Sequence, residues 1–414
     1  MQCSRILTRR WGVVSAFSCP SRTTCSTSRV LRHSNWRYQD QRHPFVRYHN
    51  RGAPFRASSS FLFAGGTSIF GDSDPEVQLL DGLNENQIAA VTQPHHSIVR
   101  VIAGPGSGKT RVLTSRIAWL ILTTNGRTND HILGVTFTKK AAGEMQRRLE
   151  SMVVDDPSMR RVTLGTFHSV CARILRFNGE LLETLPSVQA EMHSSLNATL
   201  LDGGFTIIDQ AEKERKVKEA LKRRKIDLKT YHYSGKEMPL KNVVSALSNS
   251  KQAFAENRNP FESSKKNPLS PLMQVTQKIY YDYRQMLLST NCLDFDDLLL
   301  LARELLQQHR SVQERLQTYW THVLVDEYQD TSRVQMDVIQ LLAKSSLFVV
   351  GDADQSIYSW RGAHAGSLST FDQEFGHKHV NGVQTVYLME NYRCVAVTLL
   401  QQDNVPPSQT SSLL

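Results

Sequence analysis

One stretch of the sequence has residue types suited to holding a phosphate group. Residues 101–110, Val-Ile-Ala-Gly-Pro-Gly-Ser-Gly-Lys-Thr, end a short apolar run and begin an amphipathic run with apolar residues at helical spacing. A glycine-rich turn between a strand and a helix start leaves several backbone N–H groups unpaired, with the positive end of the helix dipole behind them. The stretch therefore predicts a phosphate-binding loop.

The same stretch fits the P-loop motif, in which Lys109 reaches the β- and γ-phosphates and the Thr110 hydroxyl binds Mg²⁺. Ala103 departs from the motif, because it stands where the first glycine is common. The alternative is a tight strand-to-helix turn that happens to contain Gly-Lys-Thr. The predicted nucleotide-binding residues here are Ala103, Gly104, Pro105, Gly106, Ser107, Gly108, Lys109, Thr110 and Arg111.

Two adjacent carboxylates follow a later apolar run, residues 322–325. A P-loop site needs an acid at the end of a second central strand to complete Mg²⁺ coordination, and Asp326 stands at such an end. Glu327 has no metal to bind, so it could orient and deprotonate an attacking water. The alternative is an acidic cap on the following helix.

Charge and composition limit the classes of function. The 414 residues carry a formal net charge of +10, but residues 1–71 hold 11 arginines, no lysine and one acid, so the remainder is neutral. Overall basicity is therefore no evidence for nucleic-acid binding. The six cysteines form no CxxC pair, which argues against a disulfide framework or a zinc site, and no run of ~18 apolar residues predicts a membrane span.

Residues 1–71 are rich in arginine and serine and lack a secretory apolar segment. This composition is typical of an organelle transit peptide, and we expect a mitochondrial or chloroplast location. The alternative is a disordered basic arm that contacts nucleic acid, which would allow a nuclear location.

Alternating strand and helix patterns predict an α/β fold with a parallel sheet. The predicted strands are residues 97–103, 132–138, 162–167, 322–325, 347–350 and 383–388. Residues 181–292 are lysine-rich and mostly helical, so they predict a helical insertion, after which the sheet is expected to resume at residues 293–298, Leu-Asp-Phe-Asp-Asp-Leu. The basic run at 222–225 is a solvated face or contacts a phosphodiester backbone.

Two further groups of side chains suggest ligand contacts. Gln87 follows a helix start that Asn84 could cap, and its amide matches the N6/N7 edge of adenine; it could equally be a solvated helix residue. Aromatic and basic side chains follow strand ends, where nucleobases could stack on the rings; the alternative for each ring is core packing. These residues are Phe137, His168, Tyr358, Trp360 and Arg361.

Eight collinear motifs resemble those of UvrD/Rep/PcrA-type superfamily 1 DNA helicases. They lie at residues 83–87, 103–120, 135–145, 165–169, 293–299, 325–335, 350–363 and 391–393. The resemblance implies a RecA-like P-loop NTPase domain formed by residues 72–180 and 293–384, with insertion 1B at 181–292. Residues 385–414 would be a stub of a second RecA-like domain with an aberrant tail.

The resemblance also implies a function and residue roles. The expected activity is an ATP-dependent 3′–5′ DNA helicase in repair or recombination, with ATP and Mg²⁺ as cofactors and single-stranded or 3′-tailed duplex DNA as substrate. Gln355 would sense the γ-phosphate, Arg393 would be the arginine finger, and Tyr392 would stack on the base. Expected DNA contacts are Phe137, Thr138, Thr166, His168, Tyr358, Trp360 and Arg361.

The C-terminal end departs from the family pattern, because the chain stops 21 residues after Arg393. ATP-driven stepping needs two domains that close on a strand. We therefore expect this chain to bind ATP·Mg²⁺ and single strands weakly and to unwind nothing. The alternative to a helicase is a truncated ATP- and DNA-binding module without turnover.

Overall fold

The computed structural model describes residues 75–124, 130–153, 156–192, 201–233, 235–263, 268–352, 368–378, 380 and 382–392. Several predictions concern residues outside these ranges. They are the leader 1–71, Gln355, Tyr358, Trp360, Arg361 and Arg393, and the tail.

A six-stranded, wholly parallel sheet forms the centre of the fold and confirms the predicted α/β class. Its strands lie where the sequence pattern predicts them, in the order β10-β1-β9-β8-β2-β3. The strands of the chain are β1 Ile98–Ala103, β2 His131–Thr136, β3 Val162–Thr166, β4 Thr206–Ile207, β5 His232–Tyr233, β6 Lys236–Glu237, β7 Cys292–Leu293, β8 Trp320–Val325, β9 Leu347–Gly351 and β10 Val383–Leu388.

Helices connect the strands and supply most of the remaining core. They are α1 Pro75–Leu80, α2 Glu85–Val91, α3 Lys109–Thr123, α4 Lys139–Met152, α5 Phe167–Phe177, α6 Pro186–Met192, α7 Gln210–Arg223, α8 Leu240–Ala255, α9 Pro271–Leu288, α10 Phe295–Gln308, α11 Arg310–Tyr319, α12 Arg333–Leu342 and α13 Phe371–Phe375. Among the described residues, no helix is both long enough and apolar enough to cross a membrane.

Helices on both faces of the sheet explain its continuous apolar strands. Strand β9 is buried along its whole length, and β2 and β8 nearly so. Helix α3 packs its buried Val112, Leu113 and Ile117 in the same core as β1 and α4. Because parallel strands all run the same way, their carboxyl ends share one edge, where the loops after Ala103, Thr136 and Val325 meet.

The helical segment has an apolar core of its own. Buried residues of α7, α8 and α9 pack together, Val217, Leu247 and Ile279 among them. This agrees with the predicted helical character of the insertion, while its boundaries at residues 181 and 292 stay predictions.

The prediction that the sheet resumes at residues 293–298 is wrong. Strand β7 pairs with β4 in a separate two-stranded sheet, and Asp294 caps α10. The Asp294 side chain accepts from the backbone N–H of Asp297, whose side chain accepts from the N–H of Asp294. This reciprocal capping box is a strong helix-start signal, so residues 295–308 form a helix and not a strand.

Candidate nucleotide site and adjoining groove

The loop between β1 and α3 needs glycine at two positions. Gly106 and Gly108 have φ of 76° and 87°, in the left-handed region that side chains disfavour. A Cβ atom on Gly108 would lie 2.8 Å from the Gln87 amide nitrogen. No side chain caps the start of α3, so its first N–H groups stay available to an anion.

Lys109 lies across the ends of two neighbouring strands. Its Nζ is 3.3 Å from Asp352 Oδ2, just beyond β9, and 3.4 Å from the Ala103 carbonyl oxygen at the end of β1. Both Lys109 and Asp352 are largely buried. The ammonium group is therefore held at the carboxyl edge of the sheet, next to the glycine loop.

The acidic pair follows β8 at the same edge. The Asp326 N–H donates to the Val135 carbonyl of β2 at 2.9 Å, and its side chain is 4% exposed. Burial raises the pKa of Asp326 to about 7, and the charge of Glu327 adds to the shift while Lys109 opposes it. The cost of ionising Asp326 would fall if a cation lay beside it.

Glu327 has a backbone conformation that is uncommon for a side-chain-bearing residue, with φ 49° and ψ 47°. Such left-handed residues cost about 1–2 kcal/mol and concentrate at functional sites. The conformation begins the 3₁₀ turn Tyr328–Asp330 directly after the strand. The strand β8 therefore ends at Val325, and the chain turns at Glu327.

Gln329 is a residue of this site that the sequence reasoning missed. It is buried; its Nε2 donates to Glu327 Oε2 at 2.8 Å, and its Oε1 accepts from the Asp352 N–H at 2.9 Å. This amide fixes the Glu327 carboxylate relative to the end of β9. Its only sequence signal is its place two residues after Glu327.

The donors at this edge suit a magnesium nucleotide. Mg²⁺ prefers hard oxygen ligands and usually takes one or two from protein, with water and phosphate supplying the others. The Thr110 hydroxyl at the start of α3 and the Asp326 carboxylate are such ligands. The uncapped helix start and the buried, hard-to-ionise Asp326 both fit a phosphate group with a bound cation.

Gln87 and Tyr392 flank the glycine loop. Gln87 Nε2 donates to the Ser107 carbonyl at 3.0 Å, and its Oε1 accepts from the Asn84 N–H at 3.1 Å. The Tyr392 N–H donates to the Gly106 carbonyl at 3.0 Å, and its ring is 61% exposed. Gln87 thus links the glycine loop to the start of α2, and its adenine-reading role stays a prediction.

A groove of about 580 Å³ separates the sheet edge from the helical insertion. Two predicted DNA-contacting residues, Phe137 and His168, line it. Two others, Thr138 and Thr166, cap α4 and α5 through their hydroxyl groups. The full lining is Phe137, Phe167, His168, Gln210, Ser245, Ser248, Asn249, Gln252, Asp296, Leu299, Leu300, Asp330, Ser332, Val334 and Gln335.

Phe295 is a second residue that the sequence reasoning missed. This large apolar side chain is 48% exposed and meets the His168 ring edge to face, with centroids 5.4 Å apart. Burial lowers the pKa of His168, against the charge of Asp296, so the ring is neutral near pH 7. The sequence signal that could have identified Phe295 is its position between acidic residues at the start of α10.

Comparison with known proteins agrees with this architecture. Residues 83–376 match the family described as UvrD/REP helicase N-terminal domain. The chain is 33% identical over 323 residues to the ATP-dependent DNA helicase PcrA of Staphylococcus aureus, covering 78% of this chain and 39% of that protein. It is 33% identical over 317 residues to PcrA of Staphylococcus epidermidis, covering 76% and 38%. The chain thus spans about two fifths of these relatives' length.

Proposed function

This chain belongs to the UvrD/REP helicase family, and we propose that it binds ATP·Mg²⁺ and single-stranded DNA as the motor domain of an ATP-dependent 3′–5′ DNA helicase of repair or recombination. One observation supports the proposal most directly. A single short turn borders both sites. It starts at Glu327, the second residue of the acidic pair, and ends at Asp330, which lines the groove. The Asp330 N–H donates to the Glu327 carbonyl at 3.0 Å, so this turn connects the two sites, and we propose that it couples them.

At the nucleotide site, we assign phosphate binding to the glycine loop and Lys109, and Mg²⁺ binding to Thr110 and Asp326. Bound Mg²⁺ would neutralise charge on the phosphate oxygens. Gln329 occupies one oxygen of Glu327, which leaves the other to accept a proton from the attacking water. The proposed roles of Gln355 as γ-phosphate sensor, Arg393 as arginine finger and Tyr392 as base-stacking residue rest on the family resemblance.

At the groove, we propose that the rings of Phe137 and His168, together with the exposed Phe295 beside His168, give a sequence-tolerant surface for bases. Stacking on such rings is worth about 1–3 kcal/mol per base. The exposed Lys139 and Lys140 follow Phe137 at the start of α4 and suit phosphate contacts outside the groove. We propose single-stranded DNA, or the 3′ tail of a duplex, as the strand bound there.

The decisive experiment uses the purified 414-residue chain. Fluorescent ATP-analogue binding is measured with and without Mg²⁺, and ATP hydrolysis, single-strand binding and strand separation are measured in parallel. We expect Asp326→Asn to abolish the Mg²⁺ dependence of analogue binding while single-strand binding persists. Binding of both ligands without ATP hydrolysis would favour the module without turnover, and binding of neither would overturn the proposal.

We also propose an organelle location, mitochondrion or chloroplast, from the composition of residues 1–71. A reporter fused after residue 71 tests it by microscopy. A nuclear signal would contradict the transit-peptide interpretation.

A further inference from the structure

The lining of the groove is unusual for a surface that meets a polyanion. Among its described residues there is no lysine or arginine, while Asp296 and Asp330 contribute two carboxylates. Helix α8 contributes Ser245, Ser248 and Asn249 at helical spacing, all uncharged hydrogen-bonding groups. Carboxylates at short range repel phosphate, so the interior of this groove suits bases and not the backbone.

Asp296 is held in a fixed position at the wall of the groove. Its Oδ2 accepts from Lys213 Nζ at 2.6 Å and from Ser248 Oγ at 2.6 Å. Lys213 also donates to Ser248 Oγ at 2.8 Å and lies behind the wall, 8% exposed. Within the described part of the chain, Oδ1 of Asp296 accepts no hydrogen bond, and the side chain is 35% exposed.

A second carboxylate in the groove has an unused oxygen. Asp330 is 8% exposed, and its buried Oδ1 has no hydrogen-bond partner among the described residues. Because Asp330 lines the groove, its carboxylate adds a second acidic acceptor to the wall. The groove thus combines stacking rings with carboxylate acceptors.

We propose that Asp296 is a specificity-determining residue of the groove, whose free oxygen accepts a hydrogen bond from the exocyclic amino group of a nucleobase. Cytosine, adenine and guanine carry such a group, whereas thymine and uracil present a carbonyl oxygen at the 4-position, which a carboxylate repels, and their N3–H lies between two carbonyl oxygens. The inference rests on the proposed single-strand function of the groove. With this contact, the groove binds cytosine more tightly than thymine but does not require a particular sequence.

Oligo(dC) and oligo(dU) of equal length give the sharpest test, because their bases differ only at the 4-position and in protonation of N3. Fluorescence anisotropy of the full chain at neutral pH should show tighter binding of oligo(dC), by a factor on the order of five to ten, at the low end for a base-edge contact. In Asp296→Asn, the amide can accept from cytosine or donate to uracil, so the preference should fall to within about twofold.

Matched variants separate this contact from general effects. Glu219→Gln removes a carboxylate from the solvent face of α7, where it pairs with Arg223, and should keep the full preference. Ser248→Ala removes one bond to Asp296 and should reduce the preference in part. Thermal unfolding and ATP-analogue binding verify that each variant is folded.

The outcomes are distinct. Equal binding of the two oligomers by the unmodified chain, or a preference that survives in Asp296→Asn, would overturn the inference while single-strand binding stands. Failure to bind either oligomer would instead count against the proposed function itself.

Discussion

Buried carboxylates occur in two regions of this protein, and the charged groups that surround them differ between the two regions. At the nucleotide site, Asp326 is almost fully buried, and burial raises its pKa to about 7. At the junction of α10 with the insertion, Asp294 accepts from Lys251 Nζ at 2.7 Å and from the Tyr283 hydroxyl at 2.8 Å. Although burial opposes ionisation there, Lys251 and Lys213 hold the pKa of Asp294 well below its ordinary value.

The difference separates a structural charge network from the proposed nucleotide site. At the junction, Asp297 accepts from Lys251 Nζ at 2.9 Å and from Arg284, so both carboxylates contact cations of the protein, although burial and the charge of Asp294 raise the pKa of Asp297. At the sheet edge, the nearby Lys109 only partly offsets the burial of Asp326. A carboxylate that the fold buries without full compensation is suited to an external cation.

The largest expected effect tests whether the junction network holds the fold. Lys251→Met leaves Asp294 and Asp297 short of a buried cation, so the free energy of unfolding should fall by about 3–5 kcal/mol. Denaturant titration measures it, with Lys241→Met on the exposed face of the same helix as control. A loss below about 1 kcal/mol would show that the network contributes little, as exposed ion pairs do.

Acid should change the stability of the fold through different residues in different pH ranges. Burial lowers the pKa of His322, at the other end of β8 from Asp326, from 6.5 to about 4. The unfolded chain therefore binds this proton first, so His322 should remove up to about 3 kcal/mol of stability as pH drops from 6.5 to 4. Asp326 acts in the opposite direction, because its raised pKa lets the folded chain bind the proton first between about pH 7 and 3.8. The lowered pKa of Asp294 removes stability only below its ordinary value of 3.8.

Thermal unfolding across this pH range checks the expectation, with His322→Asn as the comparison. As pH drops from 6.5 to 4, the variant should become more stable relative to the unmodified chain by up to about 3 kcal/mol, and it should keep the loss below pH 3.8. An unchanged slope would assign the titration to other groups.

Of Lys109 and Lys140, only Lys109 should affect nucleotide affinity. Lys109→Met removes a charged donor to phosphate, worth about 1.5–3 kcal/mol, so ATP-analogue affinity should fall roughly 10- to 100-fold. Single-strand affinity should stay unchanged, because Lys109 lies outside the groove lining. Lys140→Met should show the reverse pattern, and equal losses in both variants would break the proposed separation of sites.

The smallest expected effect concerns the ring that the sequence reasoning missed. Phe295→Ala removes a stacking surface beside His168, so single-strand affinity should weaken by about 1–2 kcal/mol without a change in nucleotide affinity. Tyr281→Ala, which removes a more exposed ring from α9, is the control. If both variants bound single strands equally well, Phe295 would not belong to the proposed DNA-binding surface.

Much of the fold could be predicted because it depends on neighbours in the chain. The six sheet strands, the helix start at Asn84 and the strained glycine loop all follow from local patterns and turn chemistry. The stretch at residues 293–298 misled the prediction because an acidic capping box was taken for a strand. There, local hydrogen bonding outweighs a short apolar pattern.

The sequence by itself determined that a strand, a glycine loop and a helix come together in that order, since each forms through contacts within a few residues. Only the tertiary structure decided that Gln329 links Glu327 to β9, that Phe295 meets His168, and that Lys213 holds Asp296 against α8. These contacts join residues distant in the chain. Their distances depend on how helices pack on the sheet and on one another, which local residue patterns do not specify.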